Sequence, residues 1–366
     1  MNILYVISSL GIGGAEKIAA ELSVAASSQD RTYTIATLTA HGNNRVEQLQ
    51  NAGIPVIDLN VTGPVDAWRA LLTLARFIRT QRPDVVHGWM YHGSLFALMA
   101  TLFSGRRKKT RVIWSLRSSR MKALAYKFQL WVTITLCHLL SRAPDHITYN
   151  SHRGQDEHFI DGFNIKGSSI IPNGVNIDQF KSDDATRAQK RQELGISPDR
   201  ILIGLIARLD PMKGHATFLE AFSRTHGATA VVVGTNSHTL KPMENVTFME
   251  YEDDIASLLN ACDFTVSASS FGEGTSNVIL ESLSCATPVI ATDVGDARRL
   301  VENTGVIIAP DNTDELAQAM QHWIDNRAAL AELGHAARAR AVKYYANDAM
   351  LERFIRTEDG HYDVGF

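Results

Sequence analysis

The sequence predicts an α/β protein of two doubly wound, Rossmann-like domains facing one cleft, and three observations predict it. Short apolar runs rich in Val and Ile alternate with helical stretches, the pattern of a parallel sheet whose strands are joined by crossover helices. The alternation stops after Pro172-Asn173-Gly174, gives way to a polar, charged segment through Arg200, and then begins again. Finally, 366 residues of 45% hydrophobic composition exceed what one ordinary core supports and supply enough apolar side chains for two. The expected boundaries are 1–172 for the first domain and 173–347 for the second, with a last helix within 348–366.

Each element follows from its local pattern. In the first domain, Ile3–Ile7 is an apolar strand and the helix at about Ala15–Ala26 opens just after a glycine-rich turn. Thr34–Leu38 and Val56–Leu59 read as strands around a helix at Arg45–Asn51, and a helix at Trp68–Thr80 leads to strand Val85–Gly88. The segment from Gly174 through Arg200 reads as a connection plus a surface helix. The second series has strand Ile201–Ile206, helix Ala216–Ser223, strands Ala228–Val233 and Val246–Met249, helix Ile255–Ala261 and strand Phe264–Ser267. Helix Asn277–Ser284, strand Val289–Thr292 and helix Asp314–Asn326 follow, and a final helix spans about Asp348–Thr357. In such sheets ligands gather at the C-terminal ends of the strands.

Two carboxylates, Glu273 and Glu281, lie eight residues apart in Ser269–Glu281, one in a glycine-flanked loop and one inside a helix. If that helix starts near Thr275 or Ser276, the free N–H groups of Gly274, Thr275, Ser276, Asn277 and Val278 and the positive dipole end face an anion. Glu281 then reaches a second part of the same ligand. A diphosphate with a hydroxyl-bearing ring on each side, as in a nucleotide sugar, suits this layout. At the end of the second domain's first strand, Arg208 leaves the strand and Lys213 enters the next helix after a Pro-containing turn, so both can converge on one anion. Gly11, Gly13 and Gly14 follow the first strand and allow backbone to approach a phosphate. They are a poor dinucleotide fingerprint, because Glu16 stands at the third glycine position and Leu38-Thr39-Ala40 offers no ribose-binding acid. His87 and His92 flank the end of one strand; each is open to a structural or a functional reading.

The stretch Ser269–Ala291 resembles the Glu-x7-Glu signature of glycosyltransferase family 4, and the glycine loop, the Arg208–Lys213 segment and the Gly234/Met249–Glu250 segments match the family in the expected order. The resemblance implies the GT-B fold, with an N-terminal acceptor-side domain, a C-terminal donor-binding domain and a final helix returning to the first. It assigns Arg208 and Lys213 to the donor diphosphate, Glu273 to sugar hydroxyls, Glu281 to the ribose, and Gly234, Met249 and Glu250 to the base, with uracil and guanine both open. It implies a retaining transfer without a protein nucleophile, and the expectation is of no cofactor and no metal. Where many members carry a histidine after the next strand this chain has Arg117, read as a fixed cation toward phosphate or acceptor.

The expected reaction is transfer from a nucleotide sugar, a UDP-sugar foremost, to a glycan or lipid-linked hydroxyl. The alternatives are a GT-B epimerase or hydrolase of nucleotide sugars and a non-catalytic, membrane-associated partner of a glycosyltransferase. From Thr101 to Arg142 no acidic residue occurs, while Arg106, Arg107, Lys108, Lys109, Arg111, Arg117, Arg120, Lys122 and Lys127 cluster around the apolar run Phe128–Leu140. Residues 106–140 therefore read either as an anionic-membrane face or as a solvated loop with a core helix. A net charge of -3 and the lack of a stacking module argue against nucleic acid. Cys137, Cys262 and Cys285 lack metal spacing and read as buried thiols. The start, Met1–Ile7, lacks a basic signal region, so a cytoplasmic protein, peripheral on the inner membrane face, is expected.

Overall fold

The computed structural model describes residues 1–11, 13–39, 45–119, 128–164 and 166–362. Ile12, Ala40 and the basic-run residues Arg120, Lys122 and Lys127 lie outside these. The chain divides into two compact units: Met1–Pro172 together with Met350–Phe366, and Asn173–Ala349.

The first unit runs β1 (Asn2–Ser9), α1 (Gly14–Ala25), β2 (Thr32–Thr39), α2 (Arg45–Asn51), β3 (Val56–Asp58), α3 (Pro64–Gln81), β4 (Val85–Trp89), α4 (Met90–Phe103), β5 (Arg111–Leu116), α5 (Phe128–Leu140), β6 (His146–Tyr149), α6 (His152–Ile160) and β7 (Ser168–Ile170). Its parallel sheet has the order β3-β2-β1-β4-β5-β6-β7. Successive side chains of a strand point to opposite faces, so β1 feeds two cores. Ile3, Tyr5 and Ile7 pack with Ile18 of α1, whereas Leu4 and Val6 pack with Leu74 and Ile78 of α3 and Ala97 of α4. Burial on both faces is why such strands read as continuous apolar runs.

The second unit runs α7 (Asp184–Glu193), β8 (Ile201–Ile206), α8 (His215–Phe222), β9 (Ala228–Val233), β10 (Val246–Met249), α9 (Ile255–Ala261), β11 (Phe264–Ser267), α10 (Asn277–Ser284), β12 (Val289–Thr292), α11 (Ala297–Val301), β13 (Gly305–Ile308), α12 (Thr313–Asp325) and α13 (Arg327–Tyr345). Its sheet order is β10-β9-β8-β11-β12-β13. Ile203 and Leu205 pack with Phe218 of α8 and Trp323 of α12, and Leu202 packs with Leu258 and Ala261 of α9 on the other face. The last helix, α14 (Asn347–Asp359), buries Met350 and Phe354 in the β1–α1 core of the first unit.

Strand order reverses between β1 and β4 in one sheet and between β8 and β11 in the other. Those are the topological switch points where doubly wound sheets open a crevice at their strand ends. The loops after β8 and β11 are the ones that carry Lys213 and Glu273.

Candidate active site

In the second unit the residues predicted from sequence come together on three loops. After β8, Asp210 caps the 3-10 helix Pro211–Lys213 through Met212 N at 3.0 Å, which fixes the turn between the two cations. The same carboxylate holds the Arg208 guanidinium at 3.2 Å. Gly214 closes this turn at φ +64°; a Cβ there would lie 1.9 Å from the Ala268 carbonyl oxygen, so only glycine fits. Ser270 N donates to Met212 O at 2.8 Å and ties the β8 loop to the β11 loop.

Lys213 Nζ is ion-paired with Glu273 Oε1, and Ser269 Oγ donates to the same oxygen at 2.9 Å. Burial would raise the Glu273 pKa, but Lys213, Ser269 and the charge of Arg208 outweigh it and hold the carboxyl below its usual range. The sequence assigned these two side chains to different parts of a ligand; they are also partners of each other. The Glu273–Gly274 backbone is braced by the Gly295–Asp296 turn. Asp296 N donates to Gly274 O at 3.1 Å, and a Cβ on Gly295 would fall 2.5 Å from Glu273 O.

Ser276 is the N-cap of α10 in extended conformation and makes no side-chain capping bond, which leaves the first-turn N–H groups without that partner. Asn173 Nδ2 donates to Thr275 O at 2.9 Å and to Asn277 Oδ1 at 2.5 Å, anchoring this helix end. Val278 is half-buried in the first turn, and Glu281 is buried farther along the helix. Beside β9 and β10, Gly234 N donates to Met249 O at 3.0 Å, so these two are adjacent, while Glu250 is exposed.

In the first unit Gly13 caps α1 and its N donates to Gly11 O at 3.1 Å; Gly14 opens the helix. Glu16 lies against this loop, since a Cβ on Gly13 would meet its Oε2 at 2.0 Å. Arg45 donates to Gly11 O from the other side. His92 is half-buried in the first turn of α4, and burial lowers its pKa.

Two expected site residues are corrected. His87 is fully buried on β4, a strand covered on both faces. Its Nε2 lies 2.8 Å from Ser115 Oγ and its Nδ1 3.1 Å from a Glu358 oxygen, so it is a core histidine. Arg117 is also buried: it donates to Ile171 O at 2.9 Å and its guanidinium lies 5.2 Å from the Phe354 ring centre of α14. It fastens the end of β5 to Ile171 and α14, in place of the fixed cation toward phosphate or acceptor that was expected.

Of residues 106–140 the structure describes 106–119 and 128–140. Arg107 pairs with Asp145 at 2.9 Å, and Lys108 and Lys109 remain exposed. α5 buries Cys137 but exposes Leu139 by 69%. Among the described residues no helix is long and apolar enough to cross a membrane, and no three His, Cys, Asp or Glu side chains could jointly hold a metal ion.

Ser269, Asp210, Asn173 and Gly295 escaped the sequence reading. Ser269 lies in the Glu-x7-Glu stretch with no charge of its own to mark it, Asp210 lies inside the cation turn, and Asn173 lies at the domain boundary. Gly295 had no local signal, because its neighbour is more than twenty residues away.

Two family descriptions match the chain: Glycosyltransferase Family 4 over residues 12–179 and Glycosyl transferases group 1 over residues 200–326. The chain belongs to glycosyltransferase family 4. The family 4 chain is 28% identical over 209 residues to the D-inositol 3-phosphate glycosyltransferase of Mycolicibacterium paratuberculosis, an alignment covering 51% of this chain and 47% of that protein. It spans about half the length of several curated relatives that it matches. A longer match, 25% identical over 343 residues and covering 87% and 89% of the two chains, is to the N-acetylgalactosamine-N,N'-diacetylbacillosaminyl-diphospho-undecaprenol 4-alpha-N-acetylgalactosaminyltransferase of Campylobacter jejuni. The fold is similar to Anabaena HepE in complex with UDP-glucose, with a TM-score of 0.85 at 21% identity, covering 98% of this chain and all of that one. The architecture is thus GT-B.

Proposed function

We propose that the chain transfers a sugar, with retention of configuration, from a UDP-sugar to a hydroxyl of a glycan or lipid-linked acceptor. The observation that carries this is the convergence of Arg208, Lys213, Glu273 and the uncapped α10 end at one switch point. Arg208, Lys213 and the α10 N–H groups take up the charge that grows on the departing diphosphate. That phosphate removes the proton of the incoming hydroxyl on the same face, so no side-chain nucleophile and no metal is required. Glu273 orients sugar hydroxyls, Glu281 the ribose, and Gly234, Met249 and Glu250 the base; the Gly11–Gly14 loop and His92 belong to the acceptor-side unit. The preference for UDP is supported by HepE, which binds UDP-glucose, and the lipid-linked acceptor by the Campylobacter relative, named for an undecaprenol diphosphate substrate.

The acceptor's lipid would be met at an anionic membrane face. Trp68 of α3 and Phe103 of α4 are exposed and in edge contact at 5.8 Å, and Phe103 is close in sequence to the exposed Lys108 and Lys109. Such a pairing of aromatic and basic groups suits a lipid surface.

The test is nucleoside diphosphate release from a panel of UDP- and GDP-sugars, with and without an undecaprenol diphosphate-linked glycan. Release that requires the acceptor and is largest with a UDP-sugar is expected. Acceptor-independent release would replace transfer by hydrolysis, and a GDP-sugar preference would overturn the choice of base.

A further inference from the structure

Lys213 and Glu273 are held by braced loops that are tied to each other. The lysine rides on a turn fixed by the Asp210 cap, by Gly214 against Ala268 and by the bond from Ser270 N to Met212 O. The carboxylate sits on a loop fixed by Gly295 and Asp296 and receives the Ser269 hydroxyl. Their side chains are 21% and 13% exposed, so the pair is largely withdrawn from water, whereas Arg208 is 48% exposed. A half-buried pair on two braced loops differs from a flexible surface bridge, whose contribution is small.

Without ligand, the Lys213 cation is therefore already neutralised. A bare diphosphate must compete with Glu273 for it and also meets the repulsion of that carboxylate. A ligand that brings hydroxyl groups next to its phosphate gives Glu273 replacement donors, so both members of the pair change partner together. Resting on the reading above of a nucleotide sugar as donor, we infer that the Lys213–Glu273 pair is an exchange device that opens for the intact sugar nucleotide and recloses once the sugar has left. It thereby selects the donor against the spent nucleoside diphosphate and speeds product release.

The inference predicts a gain of affinity from removing a site carboxylate. Binding is measured by calorimetry for UDP, GDP and their sugars, and the nucleoside diphosphate and sugar nucleotide bound most tightly by the wild-type protein are carried forward. Glu273→Gln should bind that nucleoside diphosphate about tenfold more tightly and the sugar nucleotide more weakly, and its turnover should be more strongly inhibited by product. In a Lys213→Gln background the same change should give only the smaller gain that comes from losing the carboxylate's repulsion, because no cation is released. Glu273→Ser serves as the second variant should the first lose its thermal transition. If the wild-type protein binds both ligands but removing the carboxylate leaves the nucleoside diphosphate unchanged or weaker, the exchange is refuted while the donor reading stands. If nothing in the panel binds the wild type, the donor reading fails and this inference with it.

Discussion

At the scale of single residues, the separation of the two cations decides what each can contribute. Arg208 is held at 3.2 Å by Asp210 and faces solvent, so it is available to an arriving anion at once. Lys213 must first leave Glu273. Both should matter most when charge builds on the leaving diphosphate, where loss of one oriented donor lowers turnover by roughly 10²-fold or more. Arg208→Ala and Lys213→Ala are each expected to show that loss in steady-state turnover with an unchanged circular dichroism spectrum; the thermal midpoint should stay close to wild type in Arg208→Ala, whose side chain is 48% exposed, and fall in Lys213→Ala, which leaves Glu273 without its cation. Near-normal turnover in both would move the diphosphate elsewhere. The histidines illustrate the opposite outcome. His87 stands opposite Tyr5 in the β1–β4 register and inside a doubly covered sheet, so its neighbours are core groups. Its partner Glu358 is 271 residues away, beyond any local signal.

At the scale of elements, strands and amphipathic helices were legible where hydrophobic period and length agree, as in β8, β9, β11 and α10. α4 was not, because Met90–Phe103 is apolar almost all round and shows no polar face to set a period. α13 was missed for another reason: its buried positions include Gly334, Ala337 and Ala341, small residues with weak hydrophobic signal. They permit close approach, since a Cβ on Gly334 would lie 2.2 Å from Ala286 O. β7 contains Ser168 and Ser169 and carries little strand propensity. The carboxylate loop and the cation turn were legible because their chemistry is local, while their contact with each other depends on β8 and β11 being neighbours. The α3–α4 edge gives a test at this scale. Each lysine near an anionic surface contributes about 1 kcal/mol, so Lys108→Ser with Lys109→Ser should weaken liposome binding about thirtyfold at low salt. Trp68→Ser with Phe103→Ser should weaken it as well, and donor binding should be retained in both. Wild-type protein that ignores anionic liposomes at low ionic strength would remove the membrane face.

At the scale of the whole molecule, the first unit is completed by the last residues of the chain. α14 delivers Met350 and Phe354 to the core around β1, and Glu358 is fully buried beside it. There the carboxylate accepts from Tyr5 at 2.7 Å, Tyr33 at 2.8 Å and Arg31 at 2.6 Å, and lies 3.1 Å from His87. Burial alone would raise the Glu358 pKa; His87, Arg31 and Tyr5 outweigh that and lower it. A carboxyl depressed on folding stabilises the native state above its unfolded value of about 4.3, and this stabilisation is lost as pH falls through the lower folded value. Removing one member of such a buried charged network costs roughly 3–5 kcal/mol. Glu358→Gln should therefore be less stable than wild type by about that amount at pH 7, and the gap should narrow below pH 4 as the wild-type carboxyl takes up a proton and becomes nearly isosteric with Gln. Tryptophan fluorescence during denaturant unfolding can follow this, because Trp68, Trp89, Trp114 and Trp131 lie in the first unit and only Trp323 in the second. A stability gap that stays constant from pH 7 to pH 3 would mean that the ionised form of Glu358 does not secure α14, and that the apolar contacts of Met350 and Phe354 suffice.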